Sequence, residues 1–166
     1  IGLAGVRGTG KGGRVVAADV PQRGAAFATS TSNTVASGKS EIREEFVKIS
    51  TGRVFMRFIE PRVRRGESTL LLLHGLFGDV DTWTGNATML ARQGIAVAAF
   101  DLPAHGKSEC AADSFDGVVA AVAEAARSAI AGPISLVGHS FGGAVAARLS
   151  RTPGLAISGL TLIAPV

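Results

Sequence analysis

A serine between two glycines is the residue whose surroundings point most clearly to chemistry. Gly138, Ser140 and Gly142 form the pattern G-x-S-x-G, placed between an apolar stretch typical of a strand (134–138) and one typical of a helix (141–151). Such a turn holds the serine hydroxyl clear of the sheet and directs the first amides of the helix at the reacting atoms. The glycines allow the strand and the helix to approach closely. We therefore predict that Ser140 is a catalytic nucleophile.

A second loop is predicted to assist this serine. Residues 74–78, with the sequence HGLFG, follow another short apolar stretch at 69–73. A serine that attacks a carbonyl group needs two amide donors, an oxyanion hole, for the oxygen that becomes negative. We predict that one donor is the amide of Phe141, which follows the nucleophile. The other donor is predicted to be the amide of Leu76, with that of Phe77 as the alternative.

Strand-like and helix-like segments alternate along most of the chain, and this alternation predicts the fold class. Strands are predicted at 69–73, 95–100, 134–138 and 160–165, helices at 82–94, 114–132 and 141–151, and a hairpin turning at Thr51-Gly52 before them. Alternation requires crossover connections and therefore a mostly parallel α/β sheet, to which the hairpin adds an antiparallel edge. The carboxyl ends of parallel strands meet at one edge, where ligands bind in sheets of this kind.

Three segments of the chain together resemble the α/β-hydrolase family. These are LLLHGLFGDVDTW, FDLPAHGKS and LVGHSFGGAVA, which occur in the order found in that family. The resemblance implies that residues 44–166 cover the family's hairpin and its strands as far as the one after the nucleophile. It also implies that Asp101 and His105 shape a turn near the site, and that His74 and His139 have structural roles in their turns.

The acid and the base that complete such a site are absent after Ser140 in the printed sequence. The order in the family is serine, then Asp or Glu, then His, and all three histidines of this chain precede residue 140. A serine hydroxyl is a poor nucleophile without a base. We interpret the chain as a fragment whose hydrolase fold is incomplete at the C-terminus, because an evolved loss of activity more often preserves the fold and changes the motifs.

The glycine-rich stretch GVRGTGKGG, at 5–13, has the spacing of a phosphate-binding loop but lacks its context. Position 12 is Gly where magnesium binding requires Ser or Thr, and no strand precedes the loop. Residues 1–20 instead resemble the second half of a peripheral subunit-binding domain, a small helical module of 2-oxo acid dehydrogenase complexes. The resemblance implies that Lys11 and Arg14 contact acidic partner enzymes, and that the first helix of the module is missing.

Residues 21–43 are rich in Ala, Ser, Thr and Gly and are predicted to form a flexible linker. The order of subunit-binding module, linker and α/β-hydrolase domain resembles the dihydrolipoyl acetyltransferase components of acetoin dehydrogenase complexes. That resemblance implies a lipoyl group on an upstream domain and coenzyme A as an acceptor. It also implies the decarboxylase and dihydrolipoyl dehydrogenase components as partners. No cofactor or metal site is predicted within the chain itself.

Three functions remain open at this point. In the first, Ser140 takes an acyl group, or assists its transfer, from dihydrolipoamide to coenzyme A. In the second, water is the acceptor and the protein is a serine ester or thioester hydrolase. In the third, the chain is a non-catalytic scaffold that docks partner enzymes through residues 1–20.

Charge and composition limit the partners and the compartment. Residues 1–65 contain 12 basic and 5 acidic side chains, whereas residues 66–166 contain 5 and 8. The basic first part indicates an acidic partner, and nucleic acid is disfavoured because no aromatic residue is interleaved with the basic ones in residues 1–25. A single cysteine, no visible signal sequence and no apolar run near the roughly 20 residues of a membrane span predict a cytoplasmic protein that binds no membrane.

Overall fold

The computed structural model describes residues 40–166. The predictions for the subunit-binding module, for Lys11 and Arg14, and for the linker up to residue 39 lie outside the described residues. The strands are β1 (Glu41–Ile49), β2 (Gly52–Glu60), β3 (Thr69–Leu73), β4 (Ala96–Phe100), β5 (Glu109–Cys110), β6 (Ile134–His139) and β7 (Ile157–Ile163), and the helices are α1 (Thr84–Arg92), α2 (Phe115–Ala129) and α3 (Phe141–Leu149). A short 3₁₀ turn, Val80–Trp83, precedes α1.

All the strands of the described part belong to one sheet, whose order is β1-β2-β4-β3-β6-β7. β3 pairs in parallel with β4 and with β6, and β6 pairs in parallel with β7. β1 is antiparallel to β2, and β2 is antiparallel to β4 and to the two-residue strand β5. The predicted α/β class, a mostly parallel sheet with an antiparallel N-terminal hairpin, is confirmed.

The hairpin differs in detail from the prediction. β1 begins at Glu41, so residues 41–43, which the sequence analysis assigned to the linker, belong to the strand, and Glu41 pairs with Glu60. The turn consists of Ser50 and Thr51, and β2 starts at Gly52 rather than after it. The turn is anchored to α2, because the backbone N–H and the hydroxyl of Ser50 donate hydrogen bonds of 2.7 and 2.6 Å to the Glu124 carboxylate.

Several other element ends also differ from the prediction, and the structure gives the reason for two of them. α2 ends at Ala129, before the predicted stop at Gly132 and Pro133, because Ile130 adopts an extended backbone and is buried in the core. β7 begins at Ile157, three residues before the predicted start at residue 160, since the strand follows β6 from Ile134 onwards. None of the helices in residues 40–166 is long and apolar enough to cross a membrane.

Buried apolar side chains cover both faces of the central strand, β3. Leu71 and Leu73 pack into the cluster formed with α2 and α3, whereas Leu72 packs into the cluster formed with α1 and Trp83. A strand buried on both faces has an unbroken apolar sequence, which explains the run of four leucines.

Two glycines let α3 begin in direct contact with the ends of β3 and β6. A Cβ atom on Gly142 would overlap the carbonyl oxygens of Leu73 and His74, and a Cβ atom on Gly138 would overlap the carbonyl oxygen of Gly142. Backbone atoms cannot move aside as a flexible side chain does, so only glycine fits at these two positions. The packing fixes the first turn of α3 at the edge of the sheet where Ser140 lies.

We predict that Gly142→Ala lowers the free energy of unfolding by about 3 kcal/mol, because the new methyl group overpacks a site bounded by backbone. The control is Gly85→Ala in α1, where no described atom beyond the chain neighbours and the surrounding backbone of the same helix lies within 4 Å of the position that a Cβ would take. This control is expected to be neutral or up to about 1 kcal/mol more stable, as alanine favours helix. Urea unfolding followed by circular dichroism measures both, and equal effects of the two substitutions would contradict the packing argument.

Candidate active site

The loops that follow β3, β4 and β6 lie side by side at one edge of the sheet. Leu73 pairs with Phe100 of β4 and with Gly138 of β6, so the three strands end at the same level. In the sheet, β4 lies on one side of β3 and β6 lies on the other, so the order of the strands reverses its direction at β3. A reversal of this kind opens a crevice at the carboxyl ends of the strands, where ligands of α/β sheets bind.

Ser140 occupies the turn between β6 and α3 in a strained conformation. Its φ and ψ angles are 52° and −121°, a region that non-glycine residues rarely adopt and that costs about 1–3 kcal/mol. Its backbone N–H donates to the carbonyl oxygen of Ile163 in β7 at 2.9 Å. Its side chain makes no capping hydrogen bond to α3, and the residue is half-buried. The hydroxyl is therefore at the edge of the sheet and is not used to cap the helix.

A tight turn of the loop after β3 lies against Ser140. The N–H of Gly78 donates to the carbonyl oxygen of Gly75 at 3.0 Å, which makes Leu76 and Phe77 the two central residues of the turn. The position that a Cβ of Gly75 would take is 3.2 Å from the Cβ of Ser140. The predicted donors are thereby brought to the same edge as the serine. Within residues 40–166, no backbone carbonyl accepts a hydrogen bond from the amides of Leu76, Phe77 or Phe141.

The side chains of these predicted donors differ in their surroundings. Leu76 is 54% exposed and Phe77 is 92% exposed. Phe141 is half-buried, and its ring packs edge-on against the ring of Phe115 at the start of α2, with the centroids 6.0 Å apart. The edge around Ser140 therefore presents apolar groups to solvent.

His74 is buried, and both of its ring nitrogens have backbone partners. Nδ1 donates to the carbonyl oxygen of Gly75 at 2.7 Å, and Nε2 accepts from the N–H of Leu102 at 3.0 Å. This pattern requires the neutral ring with its proton on Nδ1. Burial lowers the pKa of His74, because the charged form is poorly solvated there. The ring joins the loop after β3 to the loop after β4 and has no free nitrogen to act as a base.

The buried carboxylate of Asp101 joins the same two loops. Its oxygens accept hydrogen bonds of 2.7 Å from the backbone N–H groups of Val80 and of Lys107. Gly106 has a φ of 52°, and a Cβ atom there would overlap the carboxylate. Asp101 therefore shapes the turn at 101–108 and fixes the residues that follow the turn at Gly75–Gly78, in agreement with the role that the family resemblance implies.

The other two histidines lie near the site without contacting the serine hydroxyl. Nδ1 of His105 is 2.8 Å from the carbonyl oxygen of Pro103, and the ring of His139 lies against Gly75. Within residues 40–166, no hydrogen bond joins the Ser140 hydroxyl to a histidine or a carboxylate. In the same range, no group of three or more His, Cys, Asp or Glu side chains is placed to hold a metal ion.

Two shallow cavities lie away from this edge. One, of about 190 Å³, is lined by residues that include Arg43, Phe58 and Thr69. The other, of about 310 Å³, is lined by residues that include Thr51 and Gly117. Ser140 lines neither of these two cavities.

An ion-pair network that was not predicted from the sequence supports the 3₁₀ turn after the loop. The guanidinium group of Arg57 in β2 is 2.6 Å from the Asp81 carboxylate, and it also donates to Glu44 at 2.7 Å. Arg57 lowers the pKa of Asp81 by hydrogen bonding and by its charge. Arg57 and Asp81 are 24 positions apart, and no local pattern in the sequence pairs them.

The loop after β4 also depends on a residue that the sequence analysis did not single out. The Ser108 hydroxyl accepts from the Phe55 N–H at 2.9 Å and donates to the carbonyl oxygen of Asp101 at 2.6 Å. It therefore joins β2 to the end of β4. The feature of the sequence that could have identified Ser108 is its position at the end of the FDLPAHGKS segment.

A sequence profile of the alpha/beta hydrolase fold family matches residues 68–166, and the chain belongs to that family. Over 103 residues it is 35% identical to the dihydrolipoyllysine-residue acetyltransferase component of the acetoin cleaving system of Cupriavidus necator, an alignment that covers 61% of this chain and 27% of the relative. Over 101 residues it is 37% identical to lipase LipV of Mycobacterium tuberculosis, with 60% and 38% covered.

Solved structures have the same fold. A thioesterase domain from the curacin biosynthetic pathway superimposes with a TM-score of 0.64 at 24% identity, over 75% of this chain and 47% of the other. The chain thus spans between about a quarter and a half of the length of these proteins.

We predict that the free energy of unfolding decreases as the pH falls from 7.5 to 5.5. Part of this decrease comes from His74, which binds a proton more readily in the unfolded state than in the folded state. A group whose pKa is lower in the folded state than its ordinary value near 6.5 contributes stability above that value and loses it below. The free energy of unfolding should fall by up to about 1.4 kcal/mol per pH unit for one such proton. Urea unfolding at several pH values measures this change in the free energy of unfolding.

The matched variant for this prediction is His74→Gln, which removes the titrating ring. It should be less stable than the natural protein at pH 7.5 and should show a smaller slope between pH 7.5 and 5.5. A slope equal to that of the natural protein would assign the pH dependence to other groups.

Proposed function

We propose that Ser140 is the nucleophile of an acyl-transferring enzyme. In this proposal, the acyl group passes from a dihydrolipoyl thioester to coenzyme A within a cytoplasmic multienzyme complex. The observation that carries the proposal is the strained backbone of Ser140 at the edge of the sheet, beside the turn at Gly75–Gly78. Strain of this kind persists where the surrounding structure imposes it, and it concentrates at functional sites. The relative named as a dihydrolipoyllysine-residue acetyltransferase component supports a dihydrolipoyl thioester and an acetyl group as reactants.

The proposed reaction has two halves with a covalent intermediate. The hydroxyl oxygen of Ser140 attacks the thioester carbonyl carbon, and its proton passes to a base. The carbonyl oxygen becomes negative and accepts hydrogen bonds from the amides of Phe141 and of Leu76, with Phe77 as the alternative to Leu76. The positive end of α3 adds to this stabilisation. The carbon–sulfur bond then breaks, the thiolate takes up a proton, and the acyl group remains on Ser140.

The second half repeats these steps with the acceptor. The sulfur of coenzyme A attacks the acyl-serine, and Ser140 leaves with a proton. The base for both halves is proposed to lie outside residues 40–166, because neither ring nitrogen of His74 is free and no described histidine is hydrogen-bonded to Ser140. Docking of the decarboxylase and dihydrolipoyl dehydrogenase components through Lys11 and Arg14 remains a proposal about residues outside that range.

A second candidate function is hydrolysis of an ester or thioester, with water in place of coenzyme A. The lipase among the relatives supports it. The two candidates share the nucleophile and the oxyanion donors, and they differ only in what attacks the acyl-serine. The partition of the acyl group between coenzyme A and water therefore separates them.

We predict that the protein expressed from the whole gene turns over an acetyl thioester and that Ser140→Ala lowers kcat by at least about 10³-fold, because the nucleophile, acid and base of such sites act as a unit. Ser128→Ala, at an exposed position of α2, is the control and should leave the rate unchanged. Acetyl-coenzyme A and acetate are both quantified in the presence of coenzyme A. Formation of acetyl-coenzyme A supports acyl transfer, whereas acetate alone supports hydrolysis.

The same assay on residues 1–166 tests where the base lies. We expect this chain to be weakly active although its nucleophile is in place, and circular dichroism first establishes that it is folded. If the folded chain matched the whole-gene protein and lost its activity in Ser140→Ala, the base would be within residues 1–166. His74, His105 or His139 would then have to supply it.

A further inference from the structure

We propose that the Phe77 side chain forms a subsite for an unbranched alkyl chain attached to the carbonyl group that Ser140 attacks. This proposal rests on the proposed function and adds a substrate class to it. The chain belongs either to the acyl group itself or to the thiol side of a thioester. Both sources offer the same chemistry to the ring, a flexible apolar chain next to the reacting carbon.

The first observation is the backbone conformation of Phe77. With a φ of 63° at the third position of the Gly75–Gly78 turn, and with no positive φ at Leu76, the turn is of type II. The third position of such turns takes glycine or asparagine, because a side chain on the left-handed backbone meets steric resistance. A bulky aromatic residue is thus placed where the backbone favours a residue with no ring.

The second observation is the exposure of that ring. Phe77 is 92% exposed, so the fold gains almost nothing from burying it in the described part of the chain. The neighbouring Leu76 is 54% exposed on the same turn. The left-handed backbone of Phe77 therefore opposes folding, and the ring gains too little from burial within residues 40–166 to offset that cost.

The third observation is the position of the turn. Gly75 of the same turn lies against Ser140, with a separation of 3.2 Å between its Cβ position and the serine Cβ. Phe141, which follows Ser140 in the chain, packs its ring against that of Phe115 and adds further apolar groups to this edge. A ligand whose carbonyl carbon is at the Ser140 hydroxyl would have an attached chain within reach of these apolar groups. The occupant that fits is apolar, because the exposed surface of the turn at Leu76 and Phe77 is apolar.

The test separates the ring from the backbone with two variants that both tolerate a positive φ. Phe77→Gly and Phe77→Asn each remove the ring, and Asn leaves a polar side chain. Met89→Ala, which removes a 57% exposed side chain from α1, is the control for loss of an exposed apolar group. All are made in the whole-gene protein, and Ser140→Ala is included to test the proposed function separately.

Two series of thioesters distinguish the sources of the chain. S-ethyl thioacetate is compared with S-ethyl thiooctanoate in the acyl series and with S-octyl thioacetate in the thiol series. In the natural protein, kcat/KM should rise about fourfold for each methylene group that the ring covers, in at least one series. The ratio of the long to the short substrate in that series should fall at least tenfold in both Phe77 variants and not in Met89→Ala.

Thermal unfolding of the same variants completes the test. Both Phe77 variants should melt at or above the temperature of the natural protein, because the strain of a positive φ at a phenylalanine has been removed and an almost fully exposed ring contributes little to stability. A lower melting temperature would show that the ring packs within the fold of the whole protein, and unchanged chain-length ratios would show that it contacts no chain. Either result overturns the proposal.

The failure of the proposed function is a different result. It would be recognised by full turnover in Ser140→Ala, whatever the chain-length ratios of the Phe77 variants. Should the whole-gene protein turn over no thioester, the binding of 2-butanone and of 2-decanone, measured by NMR titration, provides the same comparison of short and long chains. If Phe77→Gly weakened the binding of both ketones equally, or weakened the binding of neither, the proposed subsite would be overturned.

Discussion

The close approach of α3 to the ends of β3 and β6 is the constraint on which the candidate site depends. Gly142 lies against the carbonyl oxygens of Leu73 and His74, and Gly138 lies against Gly142, so the chain has to reverse within one residue. That residue is Ser140, and the reversal imposes its φ of 52°. The cost of the strained backbone is offset by the burial of Val145 and Leu149 of α3, together worth about 3–6 kcal/mol.

Two buried polar side chains make the neighbouring loops a single unit. His74 joins its own loop to Leu102, and Asp101 joins Val80 to Lys107. Each replaces water as the partner of backbone groups that would otherwise be buried without a hydrogen bond, which costs about 1–3 kcal/mol per group. The neutral imidazole of His74 both donates and accepts a hydrogen bond, whereas the carboxylate of Asp101 only accepts. The turn with Leu76 and Phe77 is thereby positioned by the buried side chains of His74 and Asp101.

The sequence predicted the fold class and the three strand ends because local patterns specify them. β3, β4 and β6 are short, mostly apolar runs, each followed within three residues by glycine or proline, and the alternation with helices identifies a parallel sheet. The α/β-hydrolase class is confirmed, whereas the roles of Ser140, Leu76 and Phe141 remain predictions from motif and position.

The remaining features depend on contacts between distant residues. The end of α2 is set by the burial of Ile130, and the hairpin turn is tied to Glu124, 74 positions from Ser50. The left-handed backbone of Phe77 arises because the turn must close between Gly75 and Gly78. Propensity alone would place glycine there, so no local pattern predicts a left-handed backbone at a phenylalanine.

The central claim is that Ser140 attacks a carbonyl group whose oxygen is bound by the amides of Phe141 and of the turn. The most direct measurement is a crystal structure of the whole-gene protein after reaction with an ethyl 4-nitrophenyl alkylphosphonate, in which the serine oxygen displaces 4-nitrophenolate from phosphorus. We expect a bond from the Ser140 hydroxyl oxygen to phosphorus. We also expect a phosphoryl oxygen about 2.7–3.1 Å from the amide of Phe141 and from that of Leu76 or Phe77. An adduct on another residue, or a phosphoryl oxygen directed away from these amides, would contradict it.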